Sequence, residues 1–170
     1  MKVDRILEAG ILAMLFAFVG TLYLSLHDNV VQAGDRAPDF SIKADNGKTI
    51  TAHDFGGKLL ILNFWATWCA PCVDEVPSLN QLQAALKSQG VVVLGVSEDE
   101  SPQAYQNFLD RFHVSYLTAR QPTKDIRLRY GTLQIPETYL IDRNGKVVEK
   151  VVSDADWASE RMIEHVKSLL

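Results

Sequence analysis

Residues 65–72 read WATWCAPC and contain both cysteines of this 170-residue chain, Cys69 and Cys72. The apolar run LLILNFW (59–65) leads into them at strand length, and a helical pattern follows them. Cys69 is therefore expected at a helix N-terminus, where unpaired N–H groups and the helix dipole stabilise an anion. Such a position lowers a thiol pKa from about 8.5 toward about 3.5–7.5, which makes a nucleophile at neutral pH. Cys72 lies one turn further on, close enough to close a disulfide.

A purely structural role is the alternative for this pair. A disulfide stabilises by closing a loop and gains with loop length, so that a two-residue gap contributes little. A zinc site needs about four ligands. The histidines that could supply them are scattered without ligand spacing: His27, His53, His113 and His165. We therefore interpret the cysteines as a redox-active pair and expect no metal and no cofactor.

The segments around this octet alternate between strand and helix patterns. Residues 37–58 carry a turn signal at Asp45-Asn46-Gly47 and are expected to form a hairpin. The other predicted elements follow in chain order: strand 59–65, a helix that stops before Gly90, strand 91–97, helices 102–112 and 123–130, hairpin 138–142/146–152, and helix 156–170. This order predicts an α/β domain with a central sheet covered on both faces.

The N-terminal region differs in composition from the rest. Residues 9–26 carry no charged side chain, and a helix of that length is about 27 Å long, close to the thickness of a bilayer's hydrocarbon core. We predict a tail at 1–8, a single-pass transmembrane anchor at 9–27, a linker at 28–36 and a domain at 37–170. A cleaved signal peptide ending at 31–33 and a buried core helix are the alternatives.

The net charge and the expected compartment indicate which kind of partner the protein has. The net charge is -4, and no run of Lys or Arg marks a nucleic-acid surface. An anchor or a signal peptide places the domain on the extracytoplasmic, periplasmic side of the cell membrane, where disulfides persist. We expect a monomer that acts on a disulfide-bearing protein.

WATWCAPC after an apolar strand resembles the active-site segment of the thioredoxin superfamily. GDRAPDF (34–40) and DEVPSLNQL (74–82) resemble its membrane-anchored TlpA/ResA/CcmG branch, and the resemblance covers residues 34–170. It implies a thioredoxin-like fold, with a central mixed β-sheet flanked by helices on both faces and an N-terminal β-hairpin extension. It also implies an extracytoplasmic thiol–disulfide oxidoreductase, often one that reduces the haem-binding cysteines of apocytochrome c. Such proteins are kept reduced by a membrane electron carrier of the CcdA or DsbD type.

The resemblance also assigns individual roles. Cys69 matches the attacking thiolate and Cys72 the resolving thiol. Glu75 matches the acidic residue that follows the pair by three positions in ResA-like proteins. Pro136, in QIPETYLID, matches the cis-proline that faces the sulfurs. In the family this bend exposes the backbone of the preceding residue, here Ile135, to pair with a substrate strand.

Two positions depart from thioredoxin. Asn63 replaces a buried Asp of thioredoxin, and an amide cannot accept the proton of the resolving thiol. Glu75, near Cys72 on the helix, is therefore the expected general base. Its alternative role is that of a solvated first-turn residue that complements the helix dipole. Glu137 replaces the Thr that commonly follows the cis-proline, and it is expected to influence substrate choice or to add surface charge.

Residues beside the cysteines complete the predicted site. Trp65 is expected in the core, whereas Trp68 borders the sulfur of Cys69 and presents an apolar docking surface. Pro71 fits the first helical turn, where its missing N–H is harmless. The acidic stretch SEDE (97–100) is expected to be a solvated face.

These features favour a dithiol reductase of protein disulfides. A disulfide oxidase or isomerase uses the same chemistry at another reduction potential. Peroxiredoxins share the GDRAPDF opening, but their pattern needs Thr or Ser three residues before the reactive cysteine, and Cys69 occupies that place before Cys72. A thiol chaperone or a metal-transfer module is the non-enzymatic alternative, although the copper carriers of this fold use a wider CxxxC pair plus a His.

Overall fold

The computed structural model of the protein describes residues 2–27 and 30–170. The chain divides into two compact units, Met1–Val30 and Val31–Leu170. Residue 1 of the predicted tail and residues 28 and 29 of the predicted linker lie outside the described residues.

The N-terminal unit is built on helix α1 (Lys2–His27). Its described large apolar side chains are exposed: Ile11, Leu12, Met14, Leu15, Phe16, Phe18, Val19, Leu22 and Tyr23. Among the residues that the structure describes, no helix is both long enough and apolar enough to cross a membrane. The predicted transmembrane anchor at 9–27 is therefore not confirmed, although a helix covers those residues.

The C-terminal unit is organised around a five-stranded mixed sheet. Its strands are β3 (Leu59–Trp65), β4 (Val91–Ser97), β5 (Leu117–Arg120), β6 (Glu137–Ile141) and β7 (Val147–Val152), in the order β5-β4-β3-β6-β7. Strands β5, β4 and β3 are parallel to one another, and β6 is antiparallel to both of its neighbours, β3 and β7. Two short strands, β1 (Ser41–Lys43) and β2 (Thr49–Thr51), pair antiparallel in a separate two-stranded sheet.

Four helices complete this unit within the described residues: α2 (Ala70–Leu86), α3 (Pro102–Phe112), α4 (Asp125–Tyr130) and α5 (Glu160–Ser168). Short 3-10 turns cover Ala52–Phe55 and Lys87–Gln89. The predicted helix 102–112 is confirmed, and the Ser101 side chain caps it by accepting the N–H of Ala104 at 3.2 Å.

Strand β3 carries the core on both of its faces, as the continuous apolar run predicts. Leu60 and Leu62 join the cluster that includes Tyr130 of α4. Leu59 and Ile61 join the opposite cluster, which includes three leucines of α2 and Val166 of α5. Helices therefore cover both faces of the sheet, and the α/β prediction is confirmed.

Three segments differ from the sequence prediction. Strand β5 was not predicted, because four residues that end in Arg carry little periodicity at a sheet edge. The last helix begins at Glu160 rather than at residue 156, since Ser159 is its N-cap. The globular unit begins at Val31 rather than at residue 37, because the Val31 N–H donates to the Tyr130 carbonyl at 3.0 Å.

The sheet order brings three strand ends to one edge. Trp65 at the end of β3 is paired with Ser97 at the end of β4, because these strands are parallel. Phe64 is paired with Glu137 at the start of β6, because β6 runs antiparallel. The loops after β3, after β4 and before β6 therefore meet at this edge, and the two cysteines lie in the first of them.

Replacing Gly95 with alanine should destabilise the domain. A Cβ there would lie 2.9 Å from Trp65 Nε1 and 3.0 Å from Tyr116 Cε2, both buried side chains. We expect Gly95→Ala to lower the free energy of unfolding by about 1–3 kcal/mol in urea titrations. Gly56→Ala is the matched control, since its Cβ would meet only the His53 carbonyl, at 3.4 Å. Equal losses in both variants would contradict the packing argument.

Candidate active site

Cys69 and Cys72 form a disulfide at the N-terminus of α2. Cys69 is the N-cap residue, and its Sγ accepts the backbone N–H of Cys72 at 3.3 Å. Cys69 is 7% exposed and Cys72 only 1%, so Cys69 is the more accessible sulfur. The N–H aimed at Sγ and the positive end of the α2 dipole both favour a thiolate on Cys69 once the disulfide is reduced.

The loop before β6 faces this disulfide. The Ile135–Pro136 peptide bond is cis, as the family resemblance implies. The Ile135 carbonyl oxygen lies 3.7 Å from Cys69 Sγ. An extended substrate segment that reached the sulfur would therefore pass the backbone of Ile135.

Glu75 lies on α2, three residues after Cys72, and is only 2% exposed. Its Oε1 accepts the side-chain N–H of Asn63 at 2.7 Å, and its Oε2 accepts the indole N–H of Trp157 at 3.0 Å. The same Asn63 amide donates to the Thr138 hydroxyl at 2.9 Å. Glu75 is therefore not the solvated first-turn residue of the alternative interpretation.

Burial sets the acidity of Glu75. Removal from water raises its pKa to about 7, while the N–H groups of Trp157 and Asn63 favour the carboxylate and offset part of the rise. Glu75 follows Cys72 by three residues, on the same side of α2. A carboxyl group with this pKa can take up or release a proton near neutral pH.

Glu137 is also buried, so the surface-charge interpretation of this residue is wrong. Its carboxylate lies 3.0 Å from Lys150 Nζ and accepts the Thr132 hydroxyl at 2.6 Å. It also accepts the hydroxyl of Tyr139. Glu137 thus secures the start of β6 from inside, and an influence on substrate choice stays a prediction.

The acidic stretch at the end of β4 is not a solvated face either. Ser97, Glu98 and Asp99 are buried, whereas Glu100 is exposed. The prediction was wrong because hydrophilic residues at a strand end can be satisfied by neighbouring loops instead of by water. The Glu98 carboxylate is paired with Arg127 at 2.7 Å, a cation 29 residues away that local sequence does not reveal.

The loops that carry Cys69 and Ile135 expose apolar side chains. Trp68 is 66% exposed, and Pro71 is exposed in the first turn of α2. Leu133, two residues before Ile135, is 83% exposed. Sequence reasoning found Trp68 through its neighbour Cys69 and missed Leu133, since a lone leucine in a loop carries no signal.

Comparison with known proteins identifies the family. Residues 33–150 match the AhpC/TSA family. The thiol-disulfide oxidoreductase ResA of Bacillus thuringiensis subsp. konkukian (strain 97-27) is 34% identical over 173 residues, covering 99% of this chain and 99% of that protein. ResA of Bacillus subtilis (strain 168) is 33% identical over 167 residues, covering 96% and 92%. The chain belongs to the AhpC/TSA family and, within it, to the ResA-like proteins.

A solved structure supports the same assignment. The crystal structure of a putative thiol:disulfide interchange protein DsbE from Chlorobium tepidum superposes with a TM-score of 0.76 at 31% identity. The match covers 83% of this chain and 99% of that one. The ResA-like chain is thus a thiol–disulfide oxidoreductase with a thioredoxin-like fold, and the predicted membership of the ResA/CcmG branch is confirmed.

Trp157 is the residue of this ResA-like site that sequence reasoning placed incorrectly. It falls within the predicted last helix, 156–170, but it precedes α5, is buried, and donates to Glu75. A buried indole N–H usually has a hydrogen-bond acceptor. That tendency is the signal that could have linked Trp157 to a buried carboxylate.

The raised pKa of Glu75 makes the stability of the oxidised protein depend on pH. The folded state keeps the proton up to about pH 7, whereas the unfolded state releases it near 4.5. Between these values the folded state binds more protons, so stability falls as pH rises, by roughly 3 kcal/mol in total. We expect urea titrations from pH 4.5 to 8 to show this loss in the wild type.

Glu75→Gln supplies the control for that measurement. Its side chain does not titrate, so the difference in unfolding free energy between the two proteins isolates the contribution of Glu75. A difference that stays constant across this pH range would contradict the assigned pKa.

Proposed function

We propose that this protein is a dithiol reductase of protein disulfides that acts outside the cytoplasm. The observation that carries the proposal is the placement of Cys69, whose sulfur lies between a helix N-terminus and the carbonyl of Ile135. One side of the sulfur favours an anion and the other offers a backbone for a substrate to pair with.

In the first step, the Cys69 thiolate attacks one sulfur of a substrate disulfide. A mixed disulfide forms between Cys69 and the substrate, and the substrate's second sulfur leaves as a thiolate that takes a proton from water. The N–H of Cys72 stabilises the attacking anion, and the Ile135 carbonyl accepts an N–H of the substrate backbone. Trp68 covers the apolar side of the bound segment.

In the second step, Glu75 accepts the proton of the Cys72 thiol. The Cys72 thiolate attacks Cys69 Sγ, forms the Cys69–Cys72 disulfide and releases the substrate's remaining sulfur as a thiolate. Two electrons have then passed from the protein dithiol to the substrate disulfide. A membrane electron carrier of the CcdA or DsbD type returns them, and the haem-binding cysteines of apocytochrome c are the proposed substrate.

A peroxidase function is not favoured, although the chain matches the AhpC/TSA family. The position three residues before Cys69 is Ala66, and the one before Cys72 is Cys69 itself. Neither offers a hydroxyl group. Glu75 instead follows the resolving cysteine by three residues on α2, one helical turn from the thiol that needs a base.

Replacing one cysteine at a time tests the two-step scheme. With an oxidised synthetic peptide that contains one intramolecular disulfide, Cys72→Ser should accumulate a mixed disulfide through Cys69, visible by mass spectrometry. Cys69→Ser should lose reductase activity, because the remaining sulfur is buried. Multiple turnover by Cys72→Ser at the wild-type rate would overturn the scheme.

The direction of electron flow is tested by a second experiment, which measures the redox state of the two cysteines in cells. The thiol state of Cys69 and Cys72 in living cells, trapped by acid and alkylation, should be mostly reduced if a carrier keeps the protein charged. A mostly oxidised pair would make the protein a disulfide donor instead of a reductase.

We further propose that α1 attaches the catalytic unit to a membrane on its extracytoplasmic side, with the enzyme acting as a monomer. The exposed apolar side chains between residues 11 and 23 support this, since water disfavours such a surface. The full chain should sediment with membranes and require detergent for release. A variant restricted to residues 31–170 should stay in the supernatant after export with a foreign signal peptide. Recovery of the full chain in the supernatant would refute the attachment.

A further inference from the structure

Glu98 and Asp99, directly after β4, are linked to both loops of the active site, Asp99 directly and Glu98 through Arg127. We propose that these buried carboxylates are positioning residues: Asp99 holds the loop that carries Cys69, and Glu98, through Arg127, holds the loop that carries Ile135. This inference rests on the proposed function, because it assigns a task to each loop in thiol–disulfide exchange.

The segment that carries the two carboxylates is itself fixed. The Glu98 N–H donates to the Trp65 carbonyl at 3.0 Å, which extends the pairing of β4 with β3. The Arg120 guanidinium donates to the carbonyls of Asp99 and Glu100 at 3.0 and 3.1 Å. A carboxylate on this segment therefore has a defined position relative to the sheet.

Asp99 binds the loop between β3 and α2. Its carboxylate accepts the Thr67 N–H at 3.1 Å, the Thr67 hydroxyl at 2.6 Å and the Ser97 hydroxyl at 2.6 Å. Thr67 precedes Cys69 by two residues. These bonds fix the turn that delivers Cys69 to the N-cap position of α2.

Glu98 binds the loop before β6 through one guanidinium. Arg127 Nη1 donates to both carboxylate oxygens of Glu98, at 2.8 and 2.7 Å. Nε of the same side chain donates to the Thr132 carbonyl at 2.8 Å, and Nη2 donates to the Leu133 carbonyl at 2.8 Å. The planar fork of Arg127 thus joins Glu98 to the segment that ends at Ile135.

The two attachments define the distance between nucleophile and substrate backbone. Cys69 Sγ and the Ile135 oxygen, 3.7 Å apart, lie on loops that are bound to adjacent residues of one strand end. A peptide substrate uses both loops. A small aromatic disulfide such as 5,5′-dithiobis(2-nitrobenzoate) has no backbone to pair with Ile135, so it depends on the Cys69 loop alone.

Because the peptide uses both loops and the small disulfide uses only the Cys69 loop, the effects of Glu98 and Asp99 can be separated. The measurement is the single-turnover rate of the reduced full chain with each substrate. Lysine keeps the charge of Arg127 but cannot reproduce its fork. Arg127→Lys should therefore raise the concentration of oxidised peptide that gives the half-maximal single-turnover rate by about tenfold, with the maximal rate retained and the rate on the small disulfide unchanged. Arg129→Lys is the matched control on the same helix, because Arg129 donates to the Asp39 carbonyl instead.

Asp99→Asn should affect both substrates. One of its two acceptor oxygens becomes an NH₂ donor and the charge that strengthens the bonds to Thr67 is lost, so Cys69 is held less firmly. We expect the rates on the peptide and on the small disulfide to fall by the same factor, about tenfold. The exposed neighbour Glu100 supplies the control Glu100→Gln, which should change neither rate.

Glu98→Gln removes the other partner of the same ion pair and should show the same selective loss on the peptide. It replaces Arg127→Lys as the test if that variant does not fold. The double variant Glu98→Gln/Arg127→Lys should be no worse than either single variant, because both changes break one connection. Equal losses on peptide and small disulfide in the Arg127 and Glu98 variants, or no loss on either, would overturn the proposal. A wild-type protein that reduces neither substrate would refute the proposed function instead.

Discussion

The backbone N–H of Cys72 points at the sulfur of Cys69, and the chemistry of this protein depends on that contact. It exists because the chain turns from a buried strand into a helix within four residues, which leaves the sulfur in the N-cap position. An N-cap side chain is surrounded by donors and lies at the positive end of the helix dipole. Helix N-termini bind many kinds of anion in this way, and here the anion is the thiolate of Cys69, a residue of the chain itself.

The nucleophile follows a fully buried strand, β3, and this burial constrains the polar side chains nearby. A strand buried on both faces has no room for water, so a polar group near it must find partners within the protein. The side-chain nitrogen of Asn63 in β3 meets this demand, since it donates both to Glu75 on α2 and to Thr138 on β6, whereas Asn63 Oδ1 has no hydrogen-bond partner among the described residues. The amide thereby links the helix of the resolving cysteine to the strand that follows the cis-proline.

Sequence alone predicted the parts of this structure that depend on local patterns. The apolar run before Trp65, the cap at Ser101 and the position of Cys69 follow from periodicity and end signals within a few residues. The partners of charged residues could not be predicted in this way. Arg127 and Trp157 reach their carboxylates across 29 and 82 positions of the chain, and only the sheet order makes those contacts possible.

The missed contacts also explain why four acidic residues near one edge of the sheet have different tasks. Glu98 faces Arg127, and Glu137 faces Lys150, so a cation compensates each of these buried charges. Asp99 accepts the N–H and the hydroxyl of Thr67 and the hydroxyl of Ser97, so that three donors satisfy its oxygens.

Glu75 is bound differently. The side chains that donate to it are the neutral groups of Asn63 and Trp157, and burial dominates its acidity. A carboxyl group held only by neutral donors in a buried site can exchange its proton at the pH where thiols react. The identity of the partner, and not the degree of burial, thus separates the carboxylate suited to proton transfer from the carboxylates that hold the loops in place.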